Sequence, residues 1–274
     1  MKFSLSTNWC NRRLNDGEAI AEKALSLGFE ELELGYNTTP EQVPGFMKMR
    51  DRIPVGSVHA FCPVPISAPH GYPELYQLAS FDEEDRKMAA LQVRRNIEFA
   101  AFVGADVLVL HAGRVMCRGI FKSRDMKRRV KRGAAMVETV KRELEAIVPV
   151  LEKFHVTLGL ENLPYLEGFP AEWEMQSLVG EWVKPWFDTG HDRVRKCRGW
   201  TAECVLPASP VGIHINDVVD KDDDHLAPGM GNVDFAVLRG LAESARHVVF
   251  EPNEGVAEED LKRGVDYLRN LWKR

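Results

Sequence analysis

Long apolar runs are missing from this 274-residue chain, and none approaches the ~20 residues of a membrane-spanning helix. The opening stretch, MKFSLSTNWC, is too short and too polar for a signal peptide. Cysteine is sparse: Cys10, Cys62, Cys117, Cys197 and Cys204 are odd in number, scattered and never in C-x-x-C spacing. That argues against a disulfide framework and for reduced thiols in a cytoplasmic protein. Positive charge is not in excess, since 36 Lys and Arg face 41 Asp and Glu for a net charge of −5. No global field therefore draws in nucleic acid. A dinucleotide fingerprint is also lacking, because Gly229-Met230-Gly231 has no strand immediately before it and no third glycine. It reads as a turn with room for a phosphate contact.

What the chain does have is a regular alternation of short apolar runs and amphipathic stretches, with hydrophobic content of 45%. Strands are expected at Lys2–Ser6, Phe29–Leu34 (alternating as FEELEL), Pro54–Ala60, Asp106–Leu110, Val156–Leu160, Val183–Phe187, Val211–Ile215 and His247–Phe250. Helices are expected over Glu18–Leu27, Pro40–Arg50, Asp82–Phe102, Ser123–Lys153, Ala171–Val179, Val233–Glu243 and Val256–Trp272. Ser80, Asp82 and Glu83 supply capping signals for the third of these. Eight strands, nearly all followed by helices and with no linker, predict a single closed (β/α)8 TIM barrel over residues 1–274. A doubly wound open sheet is the alternative.

On that skeleton His59, His111, Glu161, Asp188, His214 and Glu251 each stand at the C-terminal end of a different strand, the third to the eighth. In a barrel those ends meet at one mouth, where active sites are built. All six are of metal-ligand type, which predicts a shared site for Zn²⁺, Mn²⁺ or Co²⁺. The stretch VGIHINDVVDKDDDHLAPGMGNVDF fits the same reading. Its crowded acids, Asp217, Asp220, Asp222, Asp223 and Asp224, repel one another unless a cation or water neutralises them. Asp223 and His225 form a D-x-H pair, and Asp188 lies three residues before a loop imidazole, His191. Two glutamates across a mouth, Glu161 and Glu251, can bind a metal and also move protons.

Other residues carry weaker signals. His155 and His247 precede strands, at the opposite end of the barrel, and His70 lies in a Pro-rich loop. Trp9, Phe61, Tyr72, Trp186 and Phe187 either line a pocket or pack the core; Trp9, directly after the first strand, is the leading candidate for a substrate wall. Lys122–Arg132 holds seven basic residues and one acid, with Arg114 and Arg118 upstream. On a helix such a run makes a solvated face. Its Arg114 end, if it lies over the mouth, contacts a phosphate or an anionic substrate.

Glu161-Asn162, Asp188-x-x-His191, His214-x-x-Asp217, Asp223-x-His225-Leu226 with Pro228-Gly229-x-Gly231, and Glu251 together resemble the xylose isomerase-like TIM-barrel superfamily over essentially the whole chain. The superfamily includes sugar and sugar-phosphate isomerases and epimerases and the endonuclease IV family. In the isomerase branch the resemblance implies that Glu161, Asp188, His214 and Glu251 hold one divalent ion and that the two glutamates are the catalytic acid/base pair. They would move a proton through an enediolate of a sugar or sugar phosphate, with His59, His191, Arg114 and Trp9 binding substrate. In the endonuclease IV branch it implies three zinc ions on His59, His111, Glu161, Asp188, His191, His214, Asp223, His225 and Glu251, acting on abasic DNA. Residue 225 departs from well-studied ketose epimerases, where an arginine is expected, so one to three ions are anticipated. The acidic balance and the sequence AFCPVP after His59 speak for a small sugar over nucleic acid. Self-association into a homo-oligomer is compatible with the sequence.

Overall fold

The computed structural model describes residues 1–66, 68–116, 126–200, 207 and 209–273. Its centre is a closed parallel barrel of strands β1 (Ser4–Ser6), β2 (Glu31–Leu34), β3 (Val55–His59), β4 (Val107–Leu110), β5 (Thr157–Glu161), β6 (Val183–Asp188), β7 (Gly212–Ile215) and β8 (His247–Phe250). Each strand pairs with its neighbours in sequence, and β1 pairs with β8 through Ser4–Val249 and Leu5–Phe250. That last pairing makes a (β/α)8 TIM barrel and rules out the open sheet. Around it run α1 (Gly17–Ser26), α2 (Val43–Met49), α3 (Glu83–Val103), α4 (Met126–Phe154), α5 (Glu172–Met175), α6 (Thr189–Cys197), α7 (Arg239–Ser244) and α8 (Glu258–Trp272).

Both faces of the strands are covered, so nearly all of their residues are buried, apolar towards the helices and mixed towards the lumen. In β4, Leu108 and Leu110 join the large layer beneath the helices, while Val107 and Val109 turn into the lumen. The lumen is plugged by Val107, Val109, Trp186, Val211 and Val249. Trp186 fits only because a neighbour lacks a side chain: a Cβ on Gly212 would stand 2.1 Å from its ring. Above this plug the inward positions turn polar, which places the functional end.

Helix boundaries follow local chemistry. The Asp82 side chain accepts the Glu84 and Asp85 N–H groups at the start of α3, and Gly104, with φ of 88°, ends it in the left-handed conformation that glycine adopts without strain. Three expectations need correction, and one short element was not anticipated. The helix anticipated over Ala171–Val179 is reduced to Glu172–Met175, followed by turns before Gly180. That over Val233–Glu243 opens as a 3-10 turn, Phe235–Leu238. The segment after β6 is helical where a loop was expected, because Asp188 caps α6 by accepting the His191 N–H at 2.7 Å. Gly113–Arg114 pairs antiparallel with Gly168–Phe169, a two-residue ribbon too short to leave a periodic signal. The start of the helix predicted from Ser123, with Arg118 and Lys122, lies outside the described residues.

The opposite end is closed by a charge network. His247, at the start of β8, contacts Glu31 at 2.8 Å and Asp106 at 2.7 Å, and Arg246 reaches Asp106 at 2.8 Å. Burial opposes the charged imidazole, but the two carboxylates outweigh it and hold the His247 pKa up at about 9. An unfolded histidine releases its proton near 6.5. The stabilisation is therefore complete below about pH 6.5 and is lost as pH rises towards 9. In urea unfolding, wild type should lose about 1–2 kcal/mol more than His247→Gln between those limits, allowing for screening at half-exposed Asp106. Parallel pH profiles for the two proteins would refute this role.

Candidate metal and active site

The C-terminal strand ends converge as the barrel requires. His59 ends β3, Glu161 ends β5, Asp188 ends β6, His214 is the third residue of β7, and His111 and Glu251 follow β4 and β8 directly. Glu161 is the hub and is fully buried. Its Oε2 lies 3.2 Å from both His59 Nε2 and His111 Nε2. Its Oε1 lies 3.2 Å from His214 Nδ1 and 3.3 Å from His191 Nδ1. His214 Nδ1 also faces Glu251 Oε2 at 3.2 Å and Asp188 Oδ2 at 3.7 Å. Towards the mouth, Asp223 meets His191 Nε2 and His225 Nε2, each at 3.4 Å.

The imidazoles are oriented from behind. His59 Nδ1 donates to the Ala60 carbonyl at 2.9 Å, His191 Nδ1 to Asn162 at 2.7 Å, and His225 Nδ1 to Glu251 at 2.8 Å. A carbonyl only accepts, so Nδ1 keeps a proton and Nε2 is the nitrogen that faces the carboxylates, protonated on its own and available as a donor once a cation displaces that proton. His225 reaches this pose with φ of 46°, a left-handed backbone unusual for a side chain of its size. The Asp188 carboxylate, besides capping α6, accepts from Asn216 Nδ2 at 2.6 Å. Asn162 clamps the Asp188 backbone, its Oδ1 accepting the N–H at 2.7 Å.

Three groups bring their donor atoms close enough to hold one ion each: His59–Glu161–His214, Glu161–Asp188–His214–Glu251, and His191–Asp223–His225. Nitrogen and oxygen donors with outer hydrogen bonds already made fit a divalent cation such as Zn²⁺, Mn²⁺ or Co²⁺. The electrostatics agree. Burial opposes charge on His111 and His225, yet Glu161 holds His111 up at about 9 and Asp223 holds His225 up at about 10. His191 and His214 are also raised well above the usual imidazole range, against burial, by Asp188 with Asp223 and by Glu251 with Glu33. Against the same burial, His214 and His111 keep Glu161 well below the usual carboxylate range. So many buried carboxylates require positive charge, which protons or a metal ion can supply.

The mouth above is a cleft of about 160 Å³ lined by Tyr36, Tyr72, Tyr165 and Arg114 as well as His59, His111, His191, Asp223, His225 and Glu251. Arg114 stands over it, its Nε 2.5 Å from the buried Glu74 and its guanidinium 4.0 Å above the Tyr165 ring. Trp9 corrects its pocket reading: it is 1% exposed, absent from the cleft, and donates its indole N–H to the Val256 carbonyl at 2.8 Å. Phe61 and Trp186 are likewise core residues, leaving Tyr72 as the one of the five aromatics on the cleft.

The acidic run divides. Asp217 is buried and accepts the N–H groups of Gly229, Gly231, Val218 and Val233, so the Pro-Gly-x-Gly amides are already used and offer no phosphate contact. Asp220 and Asp222 are exposed, and only Asp223 of the five reaches the cleft. The basic run is not wholly a solvated face either, since Arg129 is buried against Glu174 at 2.6 Å.

Glu33 and Glu74 were missed. Glu74 lies in a loop without periodicity. Glu33, fully buried, has both carboxylate oxygens 3.2 Å from His214 Nε2. The FEELEL alternation held the signal: if Leu32 and Leu34 face the helices, Glu33 faces the lumen and needs a partner there.

A family model described as "Xylose isomerase-like TIM barrel" matches residues 21–271. An uncharacterised protein of Methanocaldococcus jannaschii is 28% identical over 240 residues, 82% of this chain and 73% of its own. Among solved structures, a D-tagatose 3-epimerase-like protein superposes with a TM-score of 0.72 at 23% identity, covering 100% of this chain and 97% of its own. D-psicose 3-epimerase of Clostridium cellulolyticum H10, solved with D-tagatose, gives 0.69 at 16% identity with 99% of each chain covered. At such identities the two structures share the fold with this chain. The matched family model spans nearly all of the barrel, and the chain belongs to the xylose isomerase-like TIM-barrel family.

Proposed function

We propose that the chain is a divalent-metal-dependent isomerase or epimerase of a sugar or sugar phosphate, with Glu161 and Glu251 as its proton-transfer pair. One observation carries this reading: the two buried carboxylates flank the same nitrogen, His214 Nδ1, each at 3.2 Å, beneath a cleft about 160 Å³ in volume. Glu161, Asp188, His214 and Glu251 would hold the catalytic ion. Bound there, a divalent cation supplies Lewis acidity for the negative charge that develops on a substrate oxygen. The protein's own groups do the rest. One glutamate takes the proton from the carbon beside the carbonyl, and the other returns a proton to the enediolate. His59 and His191 line the cleft and orient hydroxyls, and Arg114 binds the far end of the substrate. The sugar epimerases among the similar structures support this chemistry, and the free thiols of Cys10, Cys62 and Cys197 suit a cytoplasmic setting.

The three donor groups also favour a second reading, a three-metal phosphodiesterase of the endonuclease IV type acting on abasic DNA. Against it, Arg114 is the cleft's one Lys or Arg among the described residues, and Glu74, Asp223 and Glu251 line the same cleft. A duplex needs several free cations to grip its phosphates.

Deuterium uptake separates the two chemistries. Metal-loaded protein incubated in D2O with ketoses, aldoses and their phosphates should exchange the proton alpha to the carbonyl of at least one sugar, seen by proton NMR. Cleavage of abasic DNA without any carbon-bound exchange would reverse the order of the two readings.

A further inference from the structure

We infer that Glu33 is a positioning residue that fixes His214 as an Nδ1 donor to the metal site, an inference that rests on the metal-dependent reading above. Glu33 is the third residue of β2, fully buried in the lumen. Ser57, its partner across β3, donates its hydroxyl to Glu33 Oε2 at 2.9 Å. That bond leaves both carboxylate oxygens 3.2 Å from His214 Nε2. The His214 ring is held flat against His59, with 5.7 Å between centroids and 8° between planes, and edge-on to Trp186 at 5.0 Å. The ring therefore has one orientation, and only the proton position is left to choose. Carboxylates face both ring nitrogens and can only accept, but Nε2 is enclosed by Glu33 alone and keeps its proton there. Nδ1, which faces Glu161, Asp188 and Glu251, is then the nitrogen that gives up its proton to a cation.

An apolar residue would cost less to bury at position 33 than a carboxylate. The charge makes sense where it polarises an imidazole that binds a cation on its other side. Glu33 would thus raise the donor strength of His214 without touching metal or substrate.

Co²⁺ and Zn²⁺ affinities of wild type, Glu33→Gln and Ser57→Ala, measured by competition with a chromophoric chelator, decide the matter together with the Co²⁺ visible spectrum. The Gln variant keeps the shape and loses the charge, so its affinity should fall about 10–100-fold with a shifted Co²⁺ band. Ser57→Ala loosens only the support of Glu33 and should weaken affinity by about three- to tenfold, which keeps the inference testable if the Gln variant fails to fold. A merely structural carboxylate would lower the unfolding midpoint of the metal-free protein and leave affinity and spectrum unchanged, overturning the inference. A wild type that takes up no metal would overturn it along with the metal-dependent reading. Weakened binding in both variants, with no sugar turned over by wild type, would uphold Glu33 and remove only the assigned chemistry.

Discussion

Glu161→Gln should lower kcat/KM on a responsive sugar by about 10⁴-fold while the barrel stays folded. The size follows from two losses at one atom pair. General-base catalysis by a positioned carboxylate contributes about 10²–10⁴-fold, and an amide also removes the anionic donor shared between neighbouring groups. Among the described residues, Glu161 is the only carboxylate that contacts His59, His111, His191 and His214 together, through two oxygens at 3.2–3.3 Å. Its replacement therefore unsettles the whole site. The metal-free variant offers an independent readout. Glu161 is the main reason that His111 holds its proton up to about pH 9 against burial, so the amide should bring that pKa down. The stabilisation that this imidazole provides, complete below about pH 6.5 and lost on the way to pH 9, should then shrink. Steady-state rates, circular dichroism and histidine NMR titrations check the three parts. A variant within tenfold of wild-type turnover would remove Glu161 from the proposed mechanism.

Metal loading should have the second large effect. An ion present at about 1,000 times its Kd stabilises the folded chain by about 4 kcal/mol. For a protein of this size that corresponds to about 8–16 °C in Tm. The sign of the pH dependence follows from the same imidazoles. His214, in the inner donor groups, and His225, in the outer one and held at about 10, are kept protonated against burial by the carboxylates around them, and coordination must displace those protons. Affinity should fall as pH is lowered, by about tenfold per pH unit for each proton released, and calorimetry in buffers of different ionisation enthalpy should count those protons. Elemental analysis of chelator-free protein distinguishes one ion from three. A chelator-treated chain whose Tm and proton balance ignore added Zn²⁺, Mn²⁺ and Co²⁺ would contradict metal binding at this site.

The sequence by itself determined the barrel and most of its rim. Period-two strands and amphipathic helices leave their pattern in the residue order, and His59, His111, Glu161, Asp188, His214 and Glu251 are legible because each follows an apolar run. His247–Phe250 was placed to the residue, since Val248, Val249 and Phe250 form a short apolar run that Glu251 stops.

Tertiary structure decided how those residues share their contacts. Nothing local shows that Glu161 divides its two oxygens among four imidazoles, or that Asp217 spends its carboxylate on a glycine turn while nearby Asp223 enters the cleft. Trp9 could be assigned to pocket or core only once the segment before α8 met the ring; the contact to Val256 spans 247 residues. Glu33 and His214, 181 residues apart, meet because barrel closure brings every inward side chain to one axis. Residue order encodes periodicity, which is local. Which charge meets which is set by long-range packing, where burial makes each unpaired carboxylate costly enough to demand a partner.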